Sequence, residues 1–342
     1  MTVRVGIVGC GHMGTIHGRI LAEDQRVEIV GVTDVRHKAA EGLATKLGCG
    51  VFPDLAALLD QYPDAVYVTT PNTLHREPVL QALRAGCHVF CEKPMATGLA
   101  EAEEIRQTVE RSGWRYQIGF NRRFAPAYRF AKARIEAGFE PLSANVKMNR
   151  GELLSPSWVG DVSLTGGFLY ESTIHLLDMV CWLMGEVTEV VCRAEANVYK
   201  ELDDFSLLLT FASGHYAVLS SSAHTTWAPP FERVELYGAH MQLVTEEMER
   251  AEFSPGLGQP IQRESYFQLD GADKWGYREE DRLFVGAVRG ENPVPVTAED
   301  GYAAVELVEA AYRSARAEGL TLSLPLTPSL SQLWEREGVG GG

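Results

Sequence analysis

The chain has 342 residues, enough for about two domains, and its 45% hydrophobic and 23% charged residues are ordinary for a soluble globular protein. Disordered, collagen-like and coiled-coil chains are therefore excluded. The sequence contains no run of about 18 apolar residues, so no transmembrane helix is predicted. The formal charge of −15 divides into −1 over residues 1–122 and −14 over residues 123–342. This acidic second part argues against nucleic acid and membrane partners, and the change of charge suggests a domain boundary near residue 122.

Strands and helices alternate over the first 120 residues. Apolar runs predict strands at 3–9, 28–34, 65–70, 88–93 and 115–120. Apolar residues at helical spacing predict helices at 12–24, 36–47, 73–85 and 99–112. Strands separated by helices run parallel and are joined by right-handed crossovers. We therefore predict an α/β fold whose first domain, residues 1–122, is a doubly wound parallel sheet of the Rossmann type.

The pattern changes in the second part, residues 123–342. Helices are predicted at 126–137, 167–184, 276–289 and 299–318. Strands are predicted at 189–199, 205–212, 214–223, 231–238 and 240–247. Because these strands follow one another at hairpin distances, we expect an α+β domain with a mostly antiparallel sheet. The stretch 252–275 shows no regular pattern and is interpreted as a lid or a subunit-contact loop.

The cysteines and the N-terminal sequence bear on the cell compartment. None of the six cysteines forms a CxxC pair, so free thiols in a reducing environment are expected. The N-terminus shows neither a basic segment nor a long apolar segment before the first strand, so no export signal is predicted. We expect a cytoplasmic protein.

The segment GIVGCGHMG carries a G-x-G-x-x-G motif formed by Gly9, Gly11 and Gly14. The motif follows a predicted strand and opens a predicted helix, which is the context of a dinucleotide-binding loop. Gly9 permits the tight turn, Gly11 lets the backbone approach a diphosphate, and Gly14 lets the helix pack close to the strand. His12 and Met13 are assigned to the same cofactor loop. The alternative is a glycine-rich turn without a ligand.

Asp34 ends the second predicted strand, 20 residues after Gly14. A carboxylate there accepts hydrogen bonds from the adenosine ribose and repels a 2′-phosphate, so NAD is favoured over NADP. Arg36 could instead hold a 2′-phosphate, lie over the adenine or be solvated.

Glu92, Lys93 and Pro94 follow the strand at 88–93. Ligands of open α/β sheets bind beyond the carboxyl ends of the strands, so Lys93 is expected beside the nicotinamide. Pro94 suggests a cis peptide bond. An ordinary surface lysine is the alternative interpretation.

Three polar residues lie on the otherwise apolar helix predicted at 167–184. Glu171, His175 and Asp178 have spacings that place them on one helical face. Buried polar groups need partners or a pocket, so this is either a satisfied structural network or a functional site. No second His-rich segment completes a metal site, and no metal is predicted.

These motifs together resemble those of the Gfo/Idh/MocA oxidoreductase family. The resemblance rests on GIVGCGHMG, on EKP at 92–94 and on GG-x₃-E-x₃-H-x₂-D at 166–178, and it extends from about residue 3 to residue 325. It implies a second domain with a large, predominantly antiparallel sheet that binds substrate and often builds homodimers or homotetramers. It also implies NAD(P)-dependent oxidation or reduction of a sugar or cyclitol hydroxyl.

The resemblance also implies roles for individual residues. Lys93 matches the lysine that contacts the reacting hydroxyl, and His175 matches the catalytic histidine. Glu171 stands where inositol dehydrogenase-like members have aspartate, and its role is to orient His175 or bind a substrate hydroxyl. The cofactor is expected to be bordered by Thr70, Pro71, Asn72, His75 and Glu92.

The chemistry of alcohol oxidation is consistent with these roles. The cofactor takes a hydride, neutral His175 can take the proton, and the Lys93 ammonium can stabilise the developing alkoxide. Arg123, Trp158 and Tyr277 are candidates for the sugar pocket, although each could equally be a packing residue or part of an ion pair. Two other functions stay open: a non-catalytic NAD-binding regulator and an NAD-dependent glycosidase.

Overall fold

The computed structural model describes residues 2–151, 157–226 and 229–325, and only the backbone of Ser157 and Trp158. The predicted pocket side chain of Trp158 therefore lies outside the described residues. No helix in the described part of the chain is long and apolar enough to cross a bilayer.

The first domain is the predicted Rossmann sheet. Its strands are β1 Val3–Val8, β2 Val27–Thr33, β3 Gly50–Val51, β4 Ala65–Val68, β5 His88–Glu92 and β6 Tyr116–Gly119. They pair in the order β3-β2-β1-β4-β5-β6, and every pair is parallel. The helices are α1 His12–Glu23, α2 His37–Leu47, α3 Leu55–Leu59, α4 Arg76–Arg84 and α5 Leu99–Ser112. The doubly wound prediction is confirmed, and only the short β3 and α3 lacked a periodic signal.

The second part of the chain forms the larger sheet. Its strands are β7 Ser143–Asn149, β8 Val187–Glu195, β9 Asp204–Phe211, β10 Tyr216–Ser222, β11 Glu232–Tyr237, β12 Gln242–Glu246, β13 Arg250–Ser254, β14 Gln262–Ser265 and β15 Leu322–Ser323. They pair in the order β14-β13-β12-β11-β7-β10-β9-β8-β15. The β7–β10 pair is parallel and the other pairs are antiparallel. The predominantly antiparallel sheet is thus confirmed.

The helices of this part of the chain pack against the sheet and against the first domain. They are α6 Pro126–Glu136, α7 Val162–Thr165, α8 Ile174–Met184, α9 Gly271–Lys274, α10 Tyr277–Val288 and α11 Ala298–Arg316. Short 3₁₀ helices occupy Asn72–Leu74, Asn121–Phe124 and Ser157–Gly160, and Leu169–Thr173 is a π-helix that leads into α8. Phe284 and Val285 of α10 pack into the core of the Rossmann sheet. The second part of the chain therefore reaches the side of the cofactor domain where α1 lies.

Two sequence predictions for the second part are corrected. The stretch 252–275 is not irregular throughout, because it contains the end of β13, the edge strand β14 and the short helix α9. All four residues of β14 are exposed, so this edge strand has no apolar alternation to reveal it. The central strand β7 was also missed, although its residues alternate between polar and apolar in the sequence and between less buried and buried in the sheet.

One face of the large sheet carries apolar side chains that no part of the described chain covers. Phe205, Leu207 and Leu209 of β9 are buried. Leu208 of the same strand and Val218 of β10, which pair in register, are each 43% exposed. An apolar patch on an open sheet is a surface suited to association.

Candidate functional site

The glycine loop between β1 and α1 leaves room for a ligand at one position only. A Cβ on Gly14 would lie 2.0 Å from the Gly9 carbonyl oxygen, and Gly9 itself has a φ of +95°. A Cβ on Gly11 would meet, within 4 Å, only the tip of Arg36, at 3.9 Å. Gly9 and Gly14 are thus required by close backbone packing, whereas Gly11 faces open space. His12 and Met13 form the first turn of α1, where backbone N–H groups lack helical partners and can hold a diphosphate.

Asp34 is fixed beside this loop. Its carboxylate accepts hydrogen bonds from the backbone N–H of Cys10 and of Arg36, both at 2.7 Å. The Arg36 side chain is mostly exposed and lies 3.5 Å from the same carboxylate. Val35 between them is fully exposed, which sequence reasoning did not single out. An exposed apolar side chain next to the carboxylate that is predicted to bind the ribose suits the face of an adenine ring.

The buried ring of His75 lies between the loop after β4 and the Lys93-Pro94 segment. Its Nδ1 lies 2.7 Å from the Pro94 carbonyl oxygen and its Nε2 2.8 Å from that of Thr70. Burial lowers the pKa of His75, and a neutral ring can donate to only one of these carbonyls. His75, which was predicted to border the cofactor, thus lies between the Thr70 and Pro94 carbonyl oxygens and donates a hydrogen bond to one of them. Pro71 lies between Thr70 and the 3₁₀ turn.

Lys93 follows β5 and is not a surface lysine. The peptide bond to Pro94 is cis, as predicted. The Lys93 Nζ donates to the Glu171 carbonyl oxygen at 2.6 Å and lies 3.7 Å from Glu171 Oε2. Asn72 donates to the same Oε2 at 2.7 Å. The structure therefore brings together Lys93, Glu171 and Asn72 from three separate segments.

His175, on the first turn of α8, is buried, and its Nδ1 has no hydrogen-bond partner among the residues that the structure describes. Burial, together with the positive charges of Arg122, Lys93 and Arg150, lowers the pKa of His175 well below its usual value. The ring is therefore neutral at pH 7 and can accept a proton. The prediction that Glu171 orients His175 has no supporting contact, because the described partners of the Glu171 carboxylate are Asn72 and Lys93.

Asp178 and Arg123 belong to an ion network. Arg123 donates to the Asp178 carboxylate at 2.6 and 3.0 Å and to Asp300 at 3.1 Å. Burial raises the pKa of Asp178 to about 6, although Arg123 opposes this shift. Of the two interpretations of Asp178, membership of a satisfied structural network is thus better supported than a role in a functional site. Arg123, predicted for the sugar pocket, has its guanidinium engaged by two carboxylates.

The preceding residue, Arg122, was missed by sequence reasoning. It is buried and donates to both oxygens of buried Glu232 at 2.7–3.0 Å, and Tyr128 also donates to Glu232. Its charge is one of those that keep His175 neutral. The only feature of the sequence that could have pointed to Arg122 is its position directly before Arg123.

Glu92 and Tyr277, predicted to contact cofactor and substrate respectively, meet around a buried histidine. Glu92 Oε1 lies 3.0 Å from His17 Nε2, and its Oε2 accepts from the Lys93 backbone N–H at 3.1 Å. The Tyr277 ring packs edge-on against His17, with 5.9 Å between centroids, and burial raises the pKa of its hydroxyl. Across the described segments, no group of three or more His, Cys, Asp or Glu residues is arranged to hold a metal ion.

Comparison with known protein families gives matches over most of the chain. Residues 3–120 match the profile described as "Oxidoreductase family, NAD-binding Rossmann fold". Residues 132–324 match "Oxidoreductase family, C-terminal alpha/beta domain". Both profiles belong to the same family, and together they include the glycine loop, Lys93, Glu171 and His175.

Individual relatives agree with these matches. The chain is 28% identical over 324 residues to inositol 2-dehydrogenase of Rhizobium meliloti, covering 92% of this chain and 97% of that protein. It is 34% identical over 238 residues to 2,7-anhydro-N-acetylneuraminate hydratase of Mediterraneibacter gnavus, covering 66% of this chain and 63% of that protein. Among solved structures, a putative myo-inositol dehydrogenase from Sinorhizobium meliloti superposes with a TM-score of 0.82 at 26% identity. That superposition covers 95% of this chain and 100% of the other.

Proposed function

The chain belongs to the Gfo/Idh/MocA family of NAD-binding oxidoreductases, and from this premise we propose that it moves a hydride between NAD and a secondary hydroxyl of a cyclitol or sugar. The observation that carries the proposal is the convergence of Lys93 on Glu171 in the same site as a buried, neutral His175. An alcohol oxidation needs both a cation for the oxygen and an acceptor for its proton.

The residues fit NAD at the carboxyl edge of the Rossmann sheet. The open space over Gly11 and the first turn of α1 would receive the diphosphate. The Asp34 carboxylate would accept from the ribose hydroxyls and repel a 2′-phosphate, which favours NAD over NADP. Bound NAD would supply the hydride acceptor.

His175 would take the proton from the substrate hydroxyl. Its lowered pKa keeps the ring neutral and ready to accept a proton, and in the reverse direction the protonated ring would return it. Lys93 would donate a hydrogen bond to the same oxygen as negative charge develops there. Glu171 holds the lysine in place and Asn72 holds the Glu171 carboxylate, so the ammonium is oriented before substrate arrives.

The substrate class is proposed from the named relatives as well as from the site. The Rhizobium meliloti relative is an inositol 2-dehydrogenase, and it matches this chain almost end to end. Assays of NADH formation over a panel of inositols, aldoses and sugar acids, repeated with NADP, would identify the substrate.

Variants of the two central residues test the mechanism. A positioned acid–base group contributes about 10²–10⁴-fold in rate, so His175→Ala should lower kcat by that factor and leave the affinity for NAD nearly unchanged. Lys93→Ala should behave similarly, and the double variant should lose less than the product because both residues serve one hydroxyl. His215→Ala is the matched control, because His215 is a half-buried histidine in the loop between β9 and β10. Full activity of His175→Ala on the identified substrate would refute its assignment.

One relative supports a second candidate. The Mediterraneibacter gnavus protein is a hydratase of an anhydro sugar acid, and addition of water gives no net oxidation. A hydratase or a glycosidase that uses NAD only transiently would form product from a suitable sugar without accumulating NADH. Product analysis by mass spectrometry alongside the NADH assay separates these activities from the dehydrogenase.

A further inference from the structure

A buried histidine, His17, lies between two carboxylates at the junction of the two domains. Its side chain is inaccessible to solvent. Its Nδ1 is 2.8 and 3.0 Å from the two oxygens of Asp281, and its Nε2 is 3.0 Å from Glu92 Oε1. Ionised carboxylates can only accept hydrogen bonds. With both carboxylates ionised, both ring nitrogens donate and the ring is an imidazolium.

The surroundings of His17 support this charge. The aromatic rings of Tyr67, Phe90 and Tyr277 pack around it at centroid distances of 4.8–5.9 Å. Burial alone would lower the pKa of His17, but the two carboxylates outweigh burial and raise it well above the usual value. Burial also raises the pKa of Glu280 and of Asp281, and at both carboxyl groups the charge of His17 opposes this shift.

The cluster joins three functional elements. His17 lies in α1, one turn after Gly14, Asp281 lies in α10, and Glu92 is the last residue of β5, immediately before Lys93. Glu92 uses one oxygen for His17 and the other for the backbone N–H of Lys93. A Cβ on Gly119 of β6 would lie 3.0 Å from Glu92 Oε2. The absence of a side chain at Gly119 therefore makes space for this carboxylate.

We propose that His17 and Glu92 are positioning residues for Lys93: the imidazolium holds the carboxylate, and the carboxylate fixes the backbone from which the lysine reaches Glu171. This inference rests on the proposed function, in which Lys93 contacts the reacting hydroxyl. It reassigns Glu92, predicted to bind the cofactor, to a role carried out through its neighbour.

Two substitutions of Glu92 differ in whether they keep its hydrogen bonds to His17 and to the Lys93 backbone. In Glu92→Gln, a neutral His17 can still donate to Asp281 and accept from the new amide, while the amide oxygen can still accept from Lys93. This variant should keep the lysine in place. Glu92→Ala removes both bonds but leaves His17 paired with Asp281, so the fold should survive.

The first test is kinetic, on the substrate that the panel identifies. Misplacing a reacting group by about 1 Å can cost roughly 10²-fold in rate. We expect Glu92→Ala to lower kcat by about 10- to 100-fold and Glu92→Gln to restore most of it, with an unchanged NAD Kd by calorimetry for both. Adding Glu92→Ala to Lys93→Ala should cause no further loss, because Glu92 acts through the lysine. Glu103→Ala, a carboxylate on the outer helix α5 paired with Arg106, is the control.

Each contrary result has a distinct meaning. If the double variant loses the product of the two single effects, Glu92 acts independently of Lys93 and the inference is wrong. If Glu92→Ala weakens NAD binding at unchanged kcat, Glu92 is a cofactor residue and the inference is again wrong. If Lys93→Ala alone keeps full activity, the proposed role of the lysine fails and the inference fails with it.

The second test needs no substrate. In the crystal structure of Glu92→Ala, Lys93 Nζ should have left the Glu171 carbonyl oxygen, from which it lies 2.6 Å in the wild type. A lysine found in its wild-type place would overturn the inference. Nitrogen-15 NMR of the histidines should show both His17 ring nitrogens protonated at neutral pH, and an unprotonated ring nitrogen there would overturn the charged bridge.

Discussion

Replacing Gly11 by alanine should separate cofactor binding from folding. The backbone at Gly11 has a φ of −78°, which is outside the left-handed region that disfavours alanine. The added Cβ would meet no protein atom closer than 3.9 Å. Because Gly11 caps α1, the loss in folding free energy should be no more than about 1 kcal/mol. The methyl group would nevertheless occupy the space in which the diphosphate approaches the backbone.

The expected loss of affinity follows from that overlap. Forcing one methyl group into a filled contact typically costs about 1–3 kcal/mol, so the Kd for NAD should rise by roughly 10- to 100-fold. Gly14→Ala should behave in the opposite way. Its Cβ would lie 2.0 Å from the Gly9 carbonyl oxygen, and displacing the backbone should cost about 3 kcal/mol or more of stability.

Calorimetric titration with NAD and urea unfolding of the protein without cofactor measure the two effects. Gly42→Ala is the control, because Gly42 lies in α2 with nothing within 4 Å of the added Cβ. A wild-type Kd for Gly11→Ala would show that the diphosphate does not lie over this loop. A Gly14→Ala protein as stable as the wild type would refute the packing argument.

Three further predictions concern the cofactor, the proton acceptor and the assembly. Titration should show tighter binding of NAD than of NADP, and Asp34→Ala should narrow the difference; equal affinities in the wild type would indicate that Arg36 decides the choice. The pKa of His175 is lowered on folding, so below pH ~6.5 the unfolded chain binds a proton at this residue and the folded protein does not. As the pH falls further, the free energy of unfolding of the wild type should therefore decrease by about 1.4 kcal/mol per pH unit relative to that of His175→Asn. Urea unfolding of both proteins at pH 7.5 and 5.5 measures this decrease, and a stability difference between wild type and His175→Asn that is the same at both pH values would refute it. We also propose a homodimer or homotetramer through the exposed sheet face, so that Leu208→Glu with Val218→Glu should produce monomers in light scattering; a monomeric wild type at micromolar concentration would contradict the proposal.

The sequence by itself determined the Rossmann domain and its cofactor loop. Parallel strands buried on both faces produce continuous apolar runs, and the helices between them produce a different period, so local patterns were sufficient. The roles of the glycines could also be predicted from local sequence, because each depends on the backbone conformation of a single turn. Lys93 and the cis bond to Pro94 followed from their place at the end of β5.

The partners of these residues were decided only by the tertiary structure. The sequence places Glu171, His175 and Asp178 on one helix, but it does not show that Glu171 meets Lys93 and Asn72 while Asp178 meets Arg123. Such contacts join segments far apart in the chain, and no periodicity encodes them.

The same reason explains why His17 was overlooked. In the sequence it is one polar residue on an amphipathic helix, and its carboxylate partners lie 75 and 264 residues away. Only the packing of α10 against α1 brings Asp281 to one side of the ring, and only the Rossmann sheet brings Glu92 of β5 to the other. A buried charge depends on neighbours that the fold supplies, so the tertiary structure alone decides where it is stable.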